Sequence, residues 1–135
     1  MAEISHPPVS ADWETRAYWE GCARGELVLQ RCRVCQTVQH RPRAWCVSCA
    51  TDTIEHFVAS GRGRVHTFTV THQNHAKGFR DACPYVLAYV ELEEGPRLLT
   101  NIVGCEPEEV RNGLPVEVEF AQTEGQYPVP RFHPA

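Results

Sequence analysis

Residues 27–51 read LVLQRCRVCQTVQHRPRAWCVSCAT, and the four cysteines inside that stretch decide the architecture of the first third of the chain. Cys32, Cys35, Cys46 and Cys49 follow the spacing C-x2-C-x10-C-x2-C. Each C-x2-C turn can aim two thiolates at one point, and two such turns complete a tetrahedron around a soft cation, the ligand pattern of a structural zinc site. Four thiolates leave no position for water or substrate, so one Zn2+ held here is a staple and not a catalyst. A redox-active iron–tetrathiolate centre and four free buried thiols are the competing readings. Turns of this kind often carry Gly after the second Cys, where a positive φ costs little. Gln36 and Ala50 occupy those positions, which predicts either mild strain or a different turn.

Outward from the cysteines, Leu27 to Leu29 predict a short strand entering the first pair and Ile54 to Val58 a strand leaving the second. The intervening loop carries the Arg41-Pro42-Arg43 turn, and Gly61 and Gly63 mark the junction with the second half of the chain. Upstream, Met1 to Ser10 hold two prolines without periodicity and predict an extended arm. Ala11 to Ala23 predict a helix capped by Asp12 or Ser10 and stopped by Gly21 or Gly25. It sets Trp13, Ala17 and Glu20 on one side and Tyr18, Trp19 and Cys22 on another. So heavy an aromatic load either packs on the protein's own body or forms a docking surface for a partner, where Trp and Tyr are enriched. Trp13, Tyr18 and Trp19 are the candidate partner-binding residues.

Downstream the chain is rich in strands. Arg64 to Thr71 (RVHTFTVT) is dense in β-branched and aromatic residues. Tyr85 to Leu92 alternates, with Val86, Ala88, Val90 and Leu92 on one face. Arg97 to Val103 comes after the Glu93-Glu94-Gly95-Pro96 turn, Val116, Val118 and Phe120 alternate with Glu117 and Glu119, and Val129 to Phe132 can close the sheet. Pro107 to Arg111 suits a helical turn, with Pro near its start and acids at its positive end. Four or five strands with a helical turn before the fourth predict a small closed barrel of the OB type. The expected fold is therefore mainly β: an arm and helix over 1–26, a metal module over 27–58 and a barrel over 59–135.

The net charge of −4 is unevenly spread. From Leu27 to Thr51 the charged residues Arg31, Arg33, Arg41 and Arg43 are all basic, whereas Glu91 to Glu124 holds nine glutamates against Arg97 and Arg111. Nucleic-acid binders carry a clearly basic domain or stripe. A single-strand-binding barrel is thus a secondary reading, resting on Phe68, Tyr85 and Tyr89 as stacking residues. No apolar run approaches the ~20 residues needed to span a bilayer, and Met1 to Ser10 lack a signal-peptide core. The cytoplasm is the expected compartment, and seven cysteines there favour metal ligation over disulfides.

Few other residues suggest chemistry. Cys22, Cys83 and Cys105 are isolated and read as small buried hydrophobes. His72 and His75 lack an obvious third ligand for a second metal. The loop from Thr71 to Pro84 joins the first two barrel strands and borders the face that OB barrels use for binding. Within it Lys77 and Arg80 are candidates to meet phosphates, and Phe79 to cover an apolar chain. There is no Gly-rich phosphate cradle, G-x-S-x-G or separated acid–base pair, so the chain alone does not read as an enzyme.

The order of these signals resembles the DUF35 family. The resemblance rests on LVLQRCRVCQ, RPRAWCVSC, SGRGRVHTFTVTH, CPYVLAYVELEEGPRLLTNIVG and NGLPVEVEF, and covers about Asp12 to Phe120. It implies a rubredoxin-like zinc ribbon with Cys32, Cys35, Cys46 and Cys49 as ligands, fused to an acyl-CoA-associated OB fold. It also implies a non-catalytic subunit in a hetero-oligomer with a separate thiolase-fold enzyme (thiolase, acyltransferase or retro-aldolase) or a hotdog-fold hydratase. CoA or acyl-CoA at the shared interface is part of that implication, with the Arg41 and Arg43 patch available to CoA phosphates or to an acidic face of the partner.

Overall fold

The alternating apolar residues of the second half close on themselves. In a computed structural model describing residues 3–135, β4 (Arg62–Thr71), β5 (Tyr85–Leu92), β6 (Arg97–Ile102), β7 (Pro115–Ala121) and β8 (Val129–Pro134) form a barrel in the order β4-β5-β6-β8-β7. β8 lies antiparallel to β7 and parallel to β6, where Ile102 faces Phe132. β4 meets β7 through Gly63 opposite Val116, which completes the ring. The buried faces are those read from the alternation: Val86, Ala88, Val90 and Leu92 on β5, and Val116 on β7. Phe132 is fully enclosed among them. A bulge at His66 re-phases β4, so that Phe68 and Val70 pack against the core. Gly63 is required by close approach, since a Cβ there would lie 2.5 Å from the Glu91 carbonyl oxygen.

Ahead of the barrel, β1 (Val28–Cys32) is the centre of a three-stranded sheet, between β2 (Val38–Gln39) and β3 (Ile54–Val58). Tyr18, Cys22, Leu27 and Leu29 join the barrel residues in one hydrophobic cluster, so the helix and ribbon share the barrel's core.

The helix is shorter than expected. α1 covers Arg16–Ala23, with Thr15 at its N-cap and no side-chain cap. Asp12 and Thr15 instead bond each other, the Asp12 carboxylate accepting from the Thr15 amide at 2.9 Å and the Thr15 hydroxyl from the Asp12 amide at 3.1 Å. That reciprocal pair holds a turn that leaves Trp13 outside the helix. Gly25, at φ +77, ends α1, while Gly21 lies within it, buried against Val28. The helical turn of the barrel is a single 3-10 turn, Pro107–Glu109, whose Glu109 carboxylate accepts from the Glu106 amide at 2.7 Å.

The N-terminal arm crosses the barrel surface. The Ser5 amide donates to the Gly78 carbonyl at 2.9 Å, the Glu124 amide to the His6 carbonyl at 3.1 Å, and Arg131 pairs with Glu3 at 3.3 Å. Met1 and Ala2 lie outside the described residues.

Candidate functional site: a four-thiolate metal site beside an amphipathic cleft

The end of β1 and the turn after it deliver Cys32 and Cys35 to one side of a point, and the loop after β2 delivers Cys46 and Cys49 to the other. The four sulfurs all lie within 4.8 Å of one another, with Cys32 Sγ 3.6 Å from Cys49 Sγ and Cys35 Sγ 3.5 Å from Cys46 Sγ. A regular tetrahedron with Zn–S of about 2.3 Å has S···S edges of about 3.8 Å, so the quartet fits one such ion. The surrounding donors suit thiolates. The amides of Ser48 and Cys49 point at Cys46 Sγ from 3.3 and 3.5 Å, the Thr51 hydroxyl reaches Cys32 and Cys49, and the Thr37 hydroxyl reaches Cys35. The Thr51 hydroxyl, with the Cys35 amide behind it in effect, pulls the Cys32 thiol down to about 5, and Thr37 lowers Cys35. Among the described residues no second group of three or more His, Cys, Asp or Glu ligands converges; His75 Nε2 pairs with the Gln73 side-chain Nε2 at 2.9 Å instead.

The turns achieve this geometry at a cost. Gln36 and Ala50 adopt φ of +65 and +62, the left-handed region that disfavours L side chains. The site is therefore strained at both positions where glycine is usual, and the turns themselves keep the expected shape.

Beside the ribbon lies a cleft of about 700 Å³ between α1, the inter-cysteine loop, the N-terminal arm and the outer face of β5 and β6. Arg41 and Arg43 stand on its ribbon side and Trp19 on its helix side, with Phe79, Leu87 and Leu99 on the barrel side. The other two ribbon arginines are engaged elsewhere: Arg31 and Arg33 pair with Glu55 on β3 at 3.7 and 3.3 Å. Phe79 packs on Tyr85 with ring centroids 5.7 Å apart, and the Tyr85 hydroxyl accepts from Asn74. The cleft is thus basic along one wall and apolar along the other. Its carboxylates are committed to structure, Asp12 to Thr15 and Glu14 to the Ala44 amide at 3.0 Å. His40 tilts against Tyr18 at 5.2 Å, and burial, with Arg41 beside it, holds its pKa down to about 4.

The cleft gathers some of the candidate residues and leaves others out. Lys77 lies outside it, 90% exposed and 3.9 Å from Glu124, and Arg80 donates to the His75 carbonyl at 3.3 Å. Of the aromatic trio, Trp13 is 74% exposed and Trp19 half-buried, but Tyr18 is only 5% exposed. Tyr18, together with Cys22 one helical turn on, forms the inner face of α1 and packs in the core at the floor of the cleft. Sequence reading does not find Gln30 and Gln39, buried glutamines that hold the Arg41–Trp45 loop; the available signal is a polar residue at an inward strand position.

Residues 19–55 match the family model described as the ChsH2 rubredoxin-like zinc ribbon domain, and 58–121 the ChsH2 C-terminal OB-fold domain. The chain is 42% identical over 95 residues to a DUF35 domain-containing scaffold protein of Methanocaldococcus jannaschii, covering 70% of this chain and 67% of that one. It is 37% identical over 133 residues to a probable enoyl-CoA hydratase alpha subunit of Thermomonospora curvata, covering 96% of this chain but spanning only 39% of that relative's length. A solved structure titled Ltp2-ChsH2(DUF35) aldolase superposes with a TM-score of 0.84 at 32% identity, covering 93% of this chain and 98% of the solved one. With its four-cysteine zinc ribbon placed to bind one metal ion and its five-stranded closed barrel, the chain belongs to the DUF35 family.

Proposed function

We propose that this chain is a non-catalytic accessory subunit of an acyl-CoA-processing complex, docking on a separate thiolase-fold enzyme and bordering its CoA site. The observation that carries the reading is the near-complete superposition, at 32% identity, on the DUF35 chain of an aldolase assembly. The chemistry of the site agrees with it. A closed tetrathiolate braces and does not react, and the cleft beside it offers arginines and apolar side chains but commits its carboxylates to the fold. In this reading Arg41 and Arg43 meet CoA phosphates or an acidic partner surface, Phe79 and Trp19 cover apolar portions of the ligand, and exposed Trp13 contacts the enzyme. Lys77 and Arg80, outside the cleft, meet phosphate only at its approach. The arm and helix (1–26), ribbon (27–58) and barrel (59–135) then act as docking element, brace and platform.

A hotdog-fold enoyl-CoA hydratase is the second reading of the partner, favoured by the match of 96% of this chain to a probable hydratase alpha subunit. Nucleic acid is a poorer fit: Phe68 packs against the core, and the outward residues of β5 and β6 around Tyr89 are Leu87, Leu99, Asn101, Glu91 and Arg97, the one arginine pairing with Glu91 at 3.7 Å. No helix is long and apolar enough to cross a membrane, and a cytoplasmic complex is the setting proposed.

Co-purification with an acyl-CoA enzyme whose activity is lost without this chain is the expected result. Turnover of acyl-CoA thioesters by the isolated chain would remove the accessory assignment. Arg41→Glu with Arg43→Glu should weaken CoA or partner binding; unchanged affinity for both would refute the role given to that wall.

A further inference from the structure

The loop between the two cysteine pairs is gripped from inside by two buried glutamines. Gln30, on β1 two residues before Cys32, is 3% exposed, and Gln39, on β2, is 5% exposed. Gln30 Oε1 accepts from the Arg43 amide at 2.9 Å and from Gln39 Nε2 at 2.7 Å, while Gln30 Nε2 donates to the Arg43 carbonyl at 2.9 Å. The side-chain amide thus pairs with the Arg43 backbone in both directions, as a neighbouring strand would. Gln39 Nε2 donates to the Trp45 carbonyl at 3.1 Å and Gln39 Oε1 accepts from the Val47 amide at 3.0 Å. Those two residues flank Cys46. From the opposite side the Glu14 carboxylate accepts from the Ala44 amide at 3.0 Å. The Arg43–Ala44 peptide is held on both sides, although the Arg43 side chain is exposed at the cleft.

Cys46 is the link to the metal. Its sulfur lies 3.5 Å from that of Cys35, so an ion bound by the quartet joins the second knuckle to the first. Gln39 clasps the backbone on both sides of Cys46 and bonds Gln30, which bonds Arg43. Buried amides that lose partners carry a desolvation penalty, and a connected network fails together more readily than bond by bond.

We propose that Gln30 and Gln39 are positioning residues that make the Arg41–Arg43 wall of the cleft conditional on zinc. With the ion bound, the knuckles are joined and the two glutamines transmit that constraint to the loop. Without it, Cys46 is no longer tied to Cys35, the bonds of Gln39 to Trp45 and Val47 lose their fixed partner, and the loop carrying both arginines opens. The proposal rests on the accessory-subunit reading only for its consequence, that ligand or partner binding depends on zinc occupancy. The coupling is tested without ligand or partner, so its failure is distinguishable from failure of that reading.

The test uses the full chain with zinc bound, after chelator stripping, and as Gln30→Met and Gln39→Met with zinc bound. Trypsin cuts poorly before proline, which leaves Arg43–Ala44 rather than Arg41–Pro42 as the reporter bond in this loop. The loaded wild type should resist cleavage there. Stripping, or either substitution at full zinc occupancy, should speed cleavage and hydrogen exchange at Arg43 and Ala44 by about tenfold or more, while barrel amides such as that of Val90 stay protected. Should the Met variants not fold, Gln30→Glu at full zinc occupancy replaces the donor to the Arg43 carbonyl with a second acceptor oxygen, and must accelerate cleavage and exchange in the same place. Persistent protection in stripped wild type overturns the coupling to zinc. Persistent protection in zinc-loaded variants overturns the role of the glutamines.

Discussion

Replacing Ala50 with glycine should tighten zinc binding, and the size of the gain can be worked from the backbone. Ala50 sits at φ +62 immediately after Cys49, exposed, with its amide donating to the Cys46 carbonyl at 3.0 Å. Removing the methyl group sacrifices no packing and keeps that bond. An L residue in the left-handed region costs about 1–2 kcal/mol, and glycine returns about 0.5–1 kcal/mol of that through its larger loss of backbone entropy on folding. The net gain is about 0.5–1 kcal/mol, and because the folded knuckle is the metal-competent form, it reads as about two- to fivefold tighter zinc binding. Gln36→Gly should gain less, because it also loses the Gln36 Nε2 bond to the Arg33 carbonyl at 3.2 Å. Ala50→Val, which brings a β-branched residue to the same φ, should weaken binding. Competition against a chromophoric chelator at fixed pH measures all three. Equal affinities for Ala50→Gly, Ala50→Val and wild type would refute the claim that the knuckle stores backbone strain.

Three further outcomes are expected. Gly63→Ala drives a Cβ against the Glu91 carbonyl and Val90, and should cost about 1–3 kcal/mol in denaturant unfolding as an overpacked strand pair. Thr51→Val removes the hydroxyl that contacts both Cys32 and Cys49, and should weaken zinc affinity by about tenfold or more, read in the same chelator competition. His40 has its pKa depressed to about 4 by burial and by Arg41. As pH falls from about 6.5, the ordinary histidine value, toward 4, the unfolded chain takes up a proton there that the folded chain refuses. Stability should therefore decline through that window, and His40→Gln should flatten the slope of melting temperature against pH when zinc is kept in excess.

The elements legible in the sequence are those whose residues answer to local rules. The cysteine spacing locates the metal site because two C-x2-C turns have few other uses, and the period-two runs at Tyr85–Leu92 and Val116–Phe120 place barrel strands because one face of each is buried. The helix start is misplaced from sequence because Asp12 is a good cap by type; its carboxylate caps Thr15 in a preceding turn instead. Tyr18 cannot be separated from Trp13 and Trp19 by composition, since burial is decided by which face of α1 meets β1. The cleft is only partly legible. Arg41, Arg43 and Phe79 stand out one by one, but their convergence depends on how the ribbon lies against the barrel, a long-range contact with no local signature. Gln30 and Gln39 are invisible for the same reason, since Gln30 meets Arg43 thirteen residues away and His56 twenty-six residues away.

The most direct measurement is affinity capture of the intact chain from its native host, combined with mass spectrometry and assays of the isolated components. The predicted result is a stoichiometric complex with an acyl-CoA enzyme of the thiolase fold, active only when this chain is present, while the purified chain turns over no acyl-CoA thioester. Turnover by the purified chain, or a captured acyl-CoA enzyme equally active without it, would contradict the reading of this protein as an accessory subunit.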